Sequence, residues 1–155
     1  MRAGRIGIRG LAMAGLIGLL VAPIALTAGE QPTVEELKAR VANANIGDRP
    51  SLCLHISERQ LDAAEKLYAA GEGEKAQAAL TDVTAFAELD RDYAIQSHKH
   101  EKQSEIAIRK MARKLTDLKH TVSREDQEQI QNAIDRLQRV RDDLLAAMFP
   151  KGGKK

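Results

Sequence analysis

The chain has 155 residues, 43% of them hydrophobic and 30% charged, with 24 Lys and Arg, 22 Asp and Glu, and one cysteine. That length bounds it to about one domain, and a lone cysteine excludes a fold stapled by internal disulfides. Three of the cations, Arg2, Arg5 and Arg9, precede the first acidic residue, Glu30; without them 21 basic side chains face 22 acidic ones, so the remainder lacks the basic surplus that nucleic-acid binding requires.

Residues 1–28 read as a secretory signal peptide: a positive start, an uncharged stretch from Leu11 to Ala28, and small residues at Thr27, Ala28 and Gly29 where a peptidase cuts. Those 18 uncharged residues also reach the lower end of a bilayer-spanning length. An uncleaved anchor is therefore the alternative, against which Gly15, Gly18 and Pro23 weigh. The expected location is exported, periplasmic or extracellular, with membrane attachment only through an uncleaved leader.

Residues 29–47 read as a linker carrying a short amphipathic helix. Thr33-Val34-Glu35-Glu36 is a capping-box sequence, Val34, Leu37 and Val41 share a face, and Asn45 to Gly47 stop it. A helical domain over 48–149 follows. Its first helix enters at Asp48 and Pro50 and repeats Leu54, Leu61, Ala64 and Tyr68 at helical spacing until Gly71 and Gly73. From Gly73 no stop signal occurs before Thr121-Val122-Ser123, which predicts one helix of about 48 residues, ~72 Å long. Ser123, with Asp126 three residues on, starts a last helix with Ile130, Ile134, Leu137, Val140, Leu144 and Met148 on one face. Pro150 ends it, and residues 150–155 read as a disordered Lys/Gly tail.

No alternating strand pattern occurs anywhere. The fold class is all-α: elongated helical hairpins or a three-to-four-helix bundle around one long central helix, with coiled-coil-like seams. Counting back from turns near 72 and 122 sets Pro50 opposite residue 94 and Met148 opposite about residue 97. The long helix carries a polar seam there, at Asp90, Ser97, Glu101 and Ser104, between apolar Leu80, Val83 and Phe86 on one side and Ile108, Met111, Leu115 and Leu118 on the other. Because residues 94–108 contain no helix breaker, the continuous helix is favoured over a break near Ser97.

Residues 58–80, ERQLDAAEKLYAAGEGEKAQAAL, resemble a single tetratricopeptide hairpin through Leu67, Tyr68, Gly71, Ala76 and Leu80, without the further copies that a repeat architecture needs. The segments SLCLHISERQLDAAEKLYAAGE, EIAIRKMARKLTDLK and RLQRVRDDLLAAMFP resemble an uncharacterised family of exported, all-helical bacterial proteins. That resemblance implies export and helix and supplies no activity or site. VSREDQEQIQ is similar to helix starts of helical periplasmic stress proteins, but their LTxxQ motif is missing, since Leu115-Thr116 is followed by Asp117-Leu118-Lys119.

Sites for chemistry are weak. His98 and His100 point to different helix faces, and His98 with Glu101 and Glu105 is the nearest approach to a metal set. Cys53 and His55 also face apart, with no third group to orient a base. Catalytic residues, cofactors and metals are therefore not expected. Charge is more informative: residues 72–92 hold six acidic against two basic side chains, and residues 96–120 seven basic against three acidic. On a wheel of residues 91–114, Lys99, Lys102, Arg109, Lys110 and Arg113 lie opposite the core side, framing Ile95 and Ile106. This surface suits an acidic amphipathic protein partner or a second copy of the chain, unless the first short helix covers it. The expected role is non-enzymatic interaction or self-association; the alternative is a periplasmic stress-type chaperone or a metal-responsive sensor.

Overall fold

The computed structural model describes residues 31–150; the expected leader over 1–28 and tail residues 151–155 lie outside the described residues. Five helices and no strand occur among the described residues: α1 (Val34–Asn43), α2 (Arg49–Ala69), α3 (Gly73–Ser97), α4 (Glu101–Lys119) and α5 (Arg124–Met148). The all-α class is as expected.

The capping box starts α1: the Glu36 amide donates to Thr33 Oγ1 at 3.2 Å, and the Thr33 amide donates to the Glu36 carboxylate at 2.7 Å. Its stripe then finds a partner that the sequence leaves unnamed. Leu37 and Val41 pack with Cys53 and Ile56 of α2, against Phe86 and Tyr93 of α3. Lys38 fastens the helix further, donating to Asp82 of α3 at 3.1 Å and lying 5.6 Å from the centre of the Phe86 ring.

The turn from α2 to α3 closes by the two backbone bonds of a Schellman motif, Gly71 to Tyr68 and Glu72 to Leu67, with Gly71 at φ 74°. At the far end of the chain, Ser123 caps α5 by accepting the Asp126 amide at 3.3 Å.

The single long helix is overturned. The chain breaks at His98–His100, where His98 (φ 53°) and His100 (φ 66°) both enter the left-handed region without being glycine. Such residues cost about 1–2 kcal/mol each. Packing offsets the cost: turning there lets both hairpins share one core, in which Leu61 of α2, Val83 and Ala87 of α3, Ile108 and Leu115 of α4, and Ile130, Leu137 and Leu144 of α5 are all buried. Each fully buried Leu or Ile contributes about 1.5–3 kcal/mol, whereas a straight 48-residue helix would cover each of its stripes with only one partner.

Side-chain pairs set the directions. Gln77–Asp126, Glu88–Arg136 and Arg91–Asp143 make α3 and α5 parallel, while Glu105–Arg141 and Lys119–Gln131 make α4 and α5 antiparallel. One end of the bundle therefore holds the two turns near 71 and 122. The other holds the His98–His100 break and the α1–α2 connection, where a Cβ on Gly47 would stand 2.9 Å from the Lys99 side chain.

The polar seam also acquires a different meaning. Asp90 and Ser104 are both fully buried, and the Ser104 hydroxyl donates to Asp90 Oδ1 at 2.7 Å across the break. Residues that looked like a gap between partner helices form a polar joint inside the core.

Candidate functional site

On α4, Ile108, Met111 and Leu115 turn into the core, which leaves Lys102, Arg109, Lys110 and Arg113 exposed. Their neighbour Lys114 is structural: its ammonium meets Asp62 at 2.9 Å and Glu65 at 3.3 Å on α2, and the Asp62 carboxylate holds it above the usual lysine range. Lys102, Lys110 and Arg113 make no ion pair among the described residues.

A groove of about 170 Å³ runs between α4 and α5 beside these cations, floored by Ile108, Ala112 and Leu137 and rimmed by Arg109, Arg113 and Arg141. Arg141 donates to Glu105 Oε1 at 2.7 Å, and Arg109 approaches the same oxygen at 3.9 Å. Two guanidinium groups thus share one carboxylate, and the third, that of Arg113, has no acidic partner among the described residues. Guanidinium forks match carboxylate geometry bidentately, and the floor offers apolar contact to the carbon chain that carries such a carboxylate.

The structure divides the predicted surface. Lys102, Arg109, Lys110 and Arg113 remain together on α4, and Ile106 is half-buried rather than outward. Ile95 does not face outward: it lies on α3, half-buried against the main core. Lys99 sits in the break, beside Gly47. A wheel through residues 91–114 assumes one helix, and two left-handed residues reset its phase. The first short helix does not cover this face, because it docks on α2 and α3. Leu137 belongs to the apolar face expected of the last helix, whereas Arg141 is absent from the predicted surface, although counting back from the turn near 122 brings it opposite residue 104.

The trio His98, Glu101 and Glu105 is not assembled. His98 approaches Glu101 at 3.7 Å, but Glu105 turns to Arg141. Among the described residues no group of three or more His, Cys, Asp or Glu is placed to hold a metal ion. Cys53 is fully buried, and its thiol is pushed up to about 12, first by burial and then by the nearby Asp90 charge. A thiol held protonated is a poor nucleophile.

Asp90 is a second fully buried group displaced from its ordinary range. Burial pushes its carboxyl up to about 7; the Ser104 hydrogen bond and His100 pull it down, and Glu58 pushes it up. Its Oδ2 is buried with no hydrogen-bond partner.

No helix among the described residues is long and apolar enough to cross a membrane. No protein-family model matches the chain, and neither a curated protein nor a solved structure matches it.

Proposed function

We propose that the chain is an exported, non-enzymatic helical protein that binds an acidic protein partner through the exposed face of α4 and the groove it forms with α5. The observation that carries this reading is the set of three arginines, Arg109, Arg113 and Arg141, around an apolar floor with one carboxylate, Glu105, among them. A solvated helix normally balances such a run with neighbouring acids. Here Lys102, Lys110 and Arg113 add uncompensated charge beside the groove. The large apolar side chains exposed among the described residues, Ile46, Leu89 and Phe149, lie in the α1–α2 connection, on α3 and after α5. That scatter favours a charged, local contact over the broad apolar surface that a holding chaperone uses.

The test is capture by the immobilised chain, beginning after the leader, from an envelope extract at low and high salt. Arg113→Glu combined with Lys110→Glu is the comparison, since both side chains are exposed and free of ion pairs among the described residues. The native chain is expected to retain acidic partners at low salt and release them at high salt, because exposed charge pairs are screened. The double variant should lose at least roughly tenfold in capture, the effect of losing about 1.4 kcal/mol, with an unchanged helical circular-dichroism spectrum. Equal capture by both proteins would remove α4 from the account.

A further inference from the structure

Asp90 joins two halves of the bundle at the place where the chain is most strained. It projects from α3 and is fully buried, and its hydrogen bond to Ser104 reaches over the left-handed pair His98 and His100 to the first turn of α4. An ionised carboxylate offers about four acceptor positions; this one receives a single hydroxyl donor, and Oδ2 receives none.

The groups facing it compensate a charge only in part. From α2 come the Cys53 thiol and the Glu58 carboxylate, one neutral and one of like sign. From the break comes His100, which pulls the carboxyl down less than burial pushes it up and whose Nδ1 is engaged with Gln103 at 2.6 Å. From α4 comes only the Ser104 hydroxyl, and no lysine or arginine, on α5 or elsewhere among the described residues, acts on Asp90. Burying a charge without a partner is far more costly than burying the neutral acid.

We propose that Asp90 triggers a pH-operated latch at its joint with Ser104: neutral Asp90 is tolerated in the closed core, and ionised Asp90, which the single Ser104 donor offsets only in part, drives the first turn of α4 off α3 and α2, opening the bundle at the His98–His100 break. The latch stands whether or not α4 binds a partner, since it rests on the joint alone. Burial sets its working range near neutrality, with the carboxyl pushed up to about 7. The neutral form belongs to the closed state, so closure is favoured at low pH and weakens as pH rises through that value. The break is suited to act as the hinge, because opening relieves two strained residues. Cys53, the chain's one thiol, is fully buried in a cluster of α1, α2 and α3 that includes no residue of α4.

Ala107→Cys, made in a Cys53→Ala background, places the reporter on α4 itself, at a buried position one turn after Ser104. With native Asp90 and with Asp90→Asn in that background, the reaction of the new thiol with 4,4′-dithiodipyridine is followed in the folded protein from about pH 5 to about pH 8. Comparing the two proteins at each pH cancels the intrinsic titration of the thiol. An open-state carboxyl titrating near its ordinary value makes the native-to-variant rate ratio rise on the order of a hundredfold over that range. A ratio that stays constant overturns the latch. So does a rise that depends on added urea as global unfolding does, because opening then is not confined to the joint. Should Asp90→Asn fail to fold, Ser104→Ala keeps the acid and removes its one donor. In the same background that variant is expected to label faster than the protein with Ser104 at the alkaline end and much less so at the acid end; equal acceleration at both ends would also contradict the proposal.

Discussion

Between about pH 4 and about pH 8, the unfolding free energy of Asp90→Asn gains ~4 kcal/mol on that of the native chain. The figure is the displacement of the Asp90 carboxyl from 3.8 to about 7 converted at about 1.4 kcal/mol per unit. The sign follows from proton binding. A carboxyl raised in the folded state favours folding while it is protonated in both states, below about 4, and that contribution is lost as pH rises toward 7. Asparagine stays neutral throughout and loses nothing. Its amide brings an extra donor to a place where Oδ2 has no partner, an offset of about 1–3 kcal/mol that is the same at every pH. The widening gap between the two proteins, read from urea titrations at several pH values, is therefore the quantity to compare. A gap that does not change with pH would mean that Asp90 is already ionised inside the fold.

Leu137→Ala has the next largest expected effect, a loss of about 2–5 kcal/mol. Leu137 is fully buried, belongs to the core shared by α2, α3, α4 and α5, and floors the groove beside the arginines. Its removal leaves a cavity between α4 and α5, the pair that positions Arg109 and Arg141. Phe149→Ala is the comparison: that side chain is 71% exposed, and surface substitutions usually stay within about 0.5 kcal/mol. Urea midpoints of the two variants should therefore separate widely. Similar midpoints would show that α5 does not pack as described.

Local signals were legible wherever they act locally. Thr33 and Ser123 cap the helices that their sequences announce, Gly71 closes the α2–α3 turn, and the apolar series from Ile130 to Leu144 is the buried face of α5. The break is the alternative near Ser97 that the sequence disfavours, because His98-Lys99-His100 contains neither glycine nor proline and a helix through it violates no local rule. What turns the chain is the shared core, a property of four helices together. Asp90 and Ser104 were visible as polar seam residues, yet only the turn brings them within 2.7 Å. The same turn explains the site: Arg109 and Arg113 were found because both belong to α4, and Ile95 was misplaced because it belongs to α3. The docking of α1 was hidden for a related reason, since a stripe of Val34, Leu37 and Val41 announces burial without naming its partner.

The most direct test of the architecture is a spin-label distance between Gln77 and Lys119. Gln77 meets Asp126 at 3.4 Å and Lys119 meets Gln131 at 2.7 Å, so both labels lie at the end of the bundle that carries the two turns. With the chain turned back at His98–His100, the distance is expected to fall below roughly 30 Å, a few helix diameters. A continuous helix between the same positions would set them on the order of 60 Å apart, and a distribution centred there would contradict the shared core, the Asp90–Ser104 joint and the groove together.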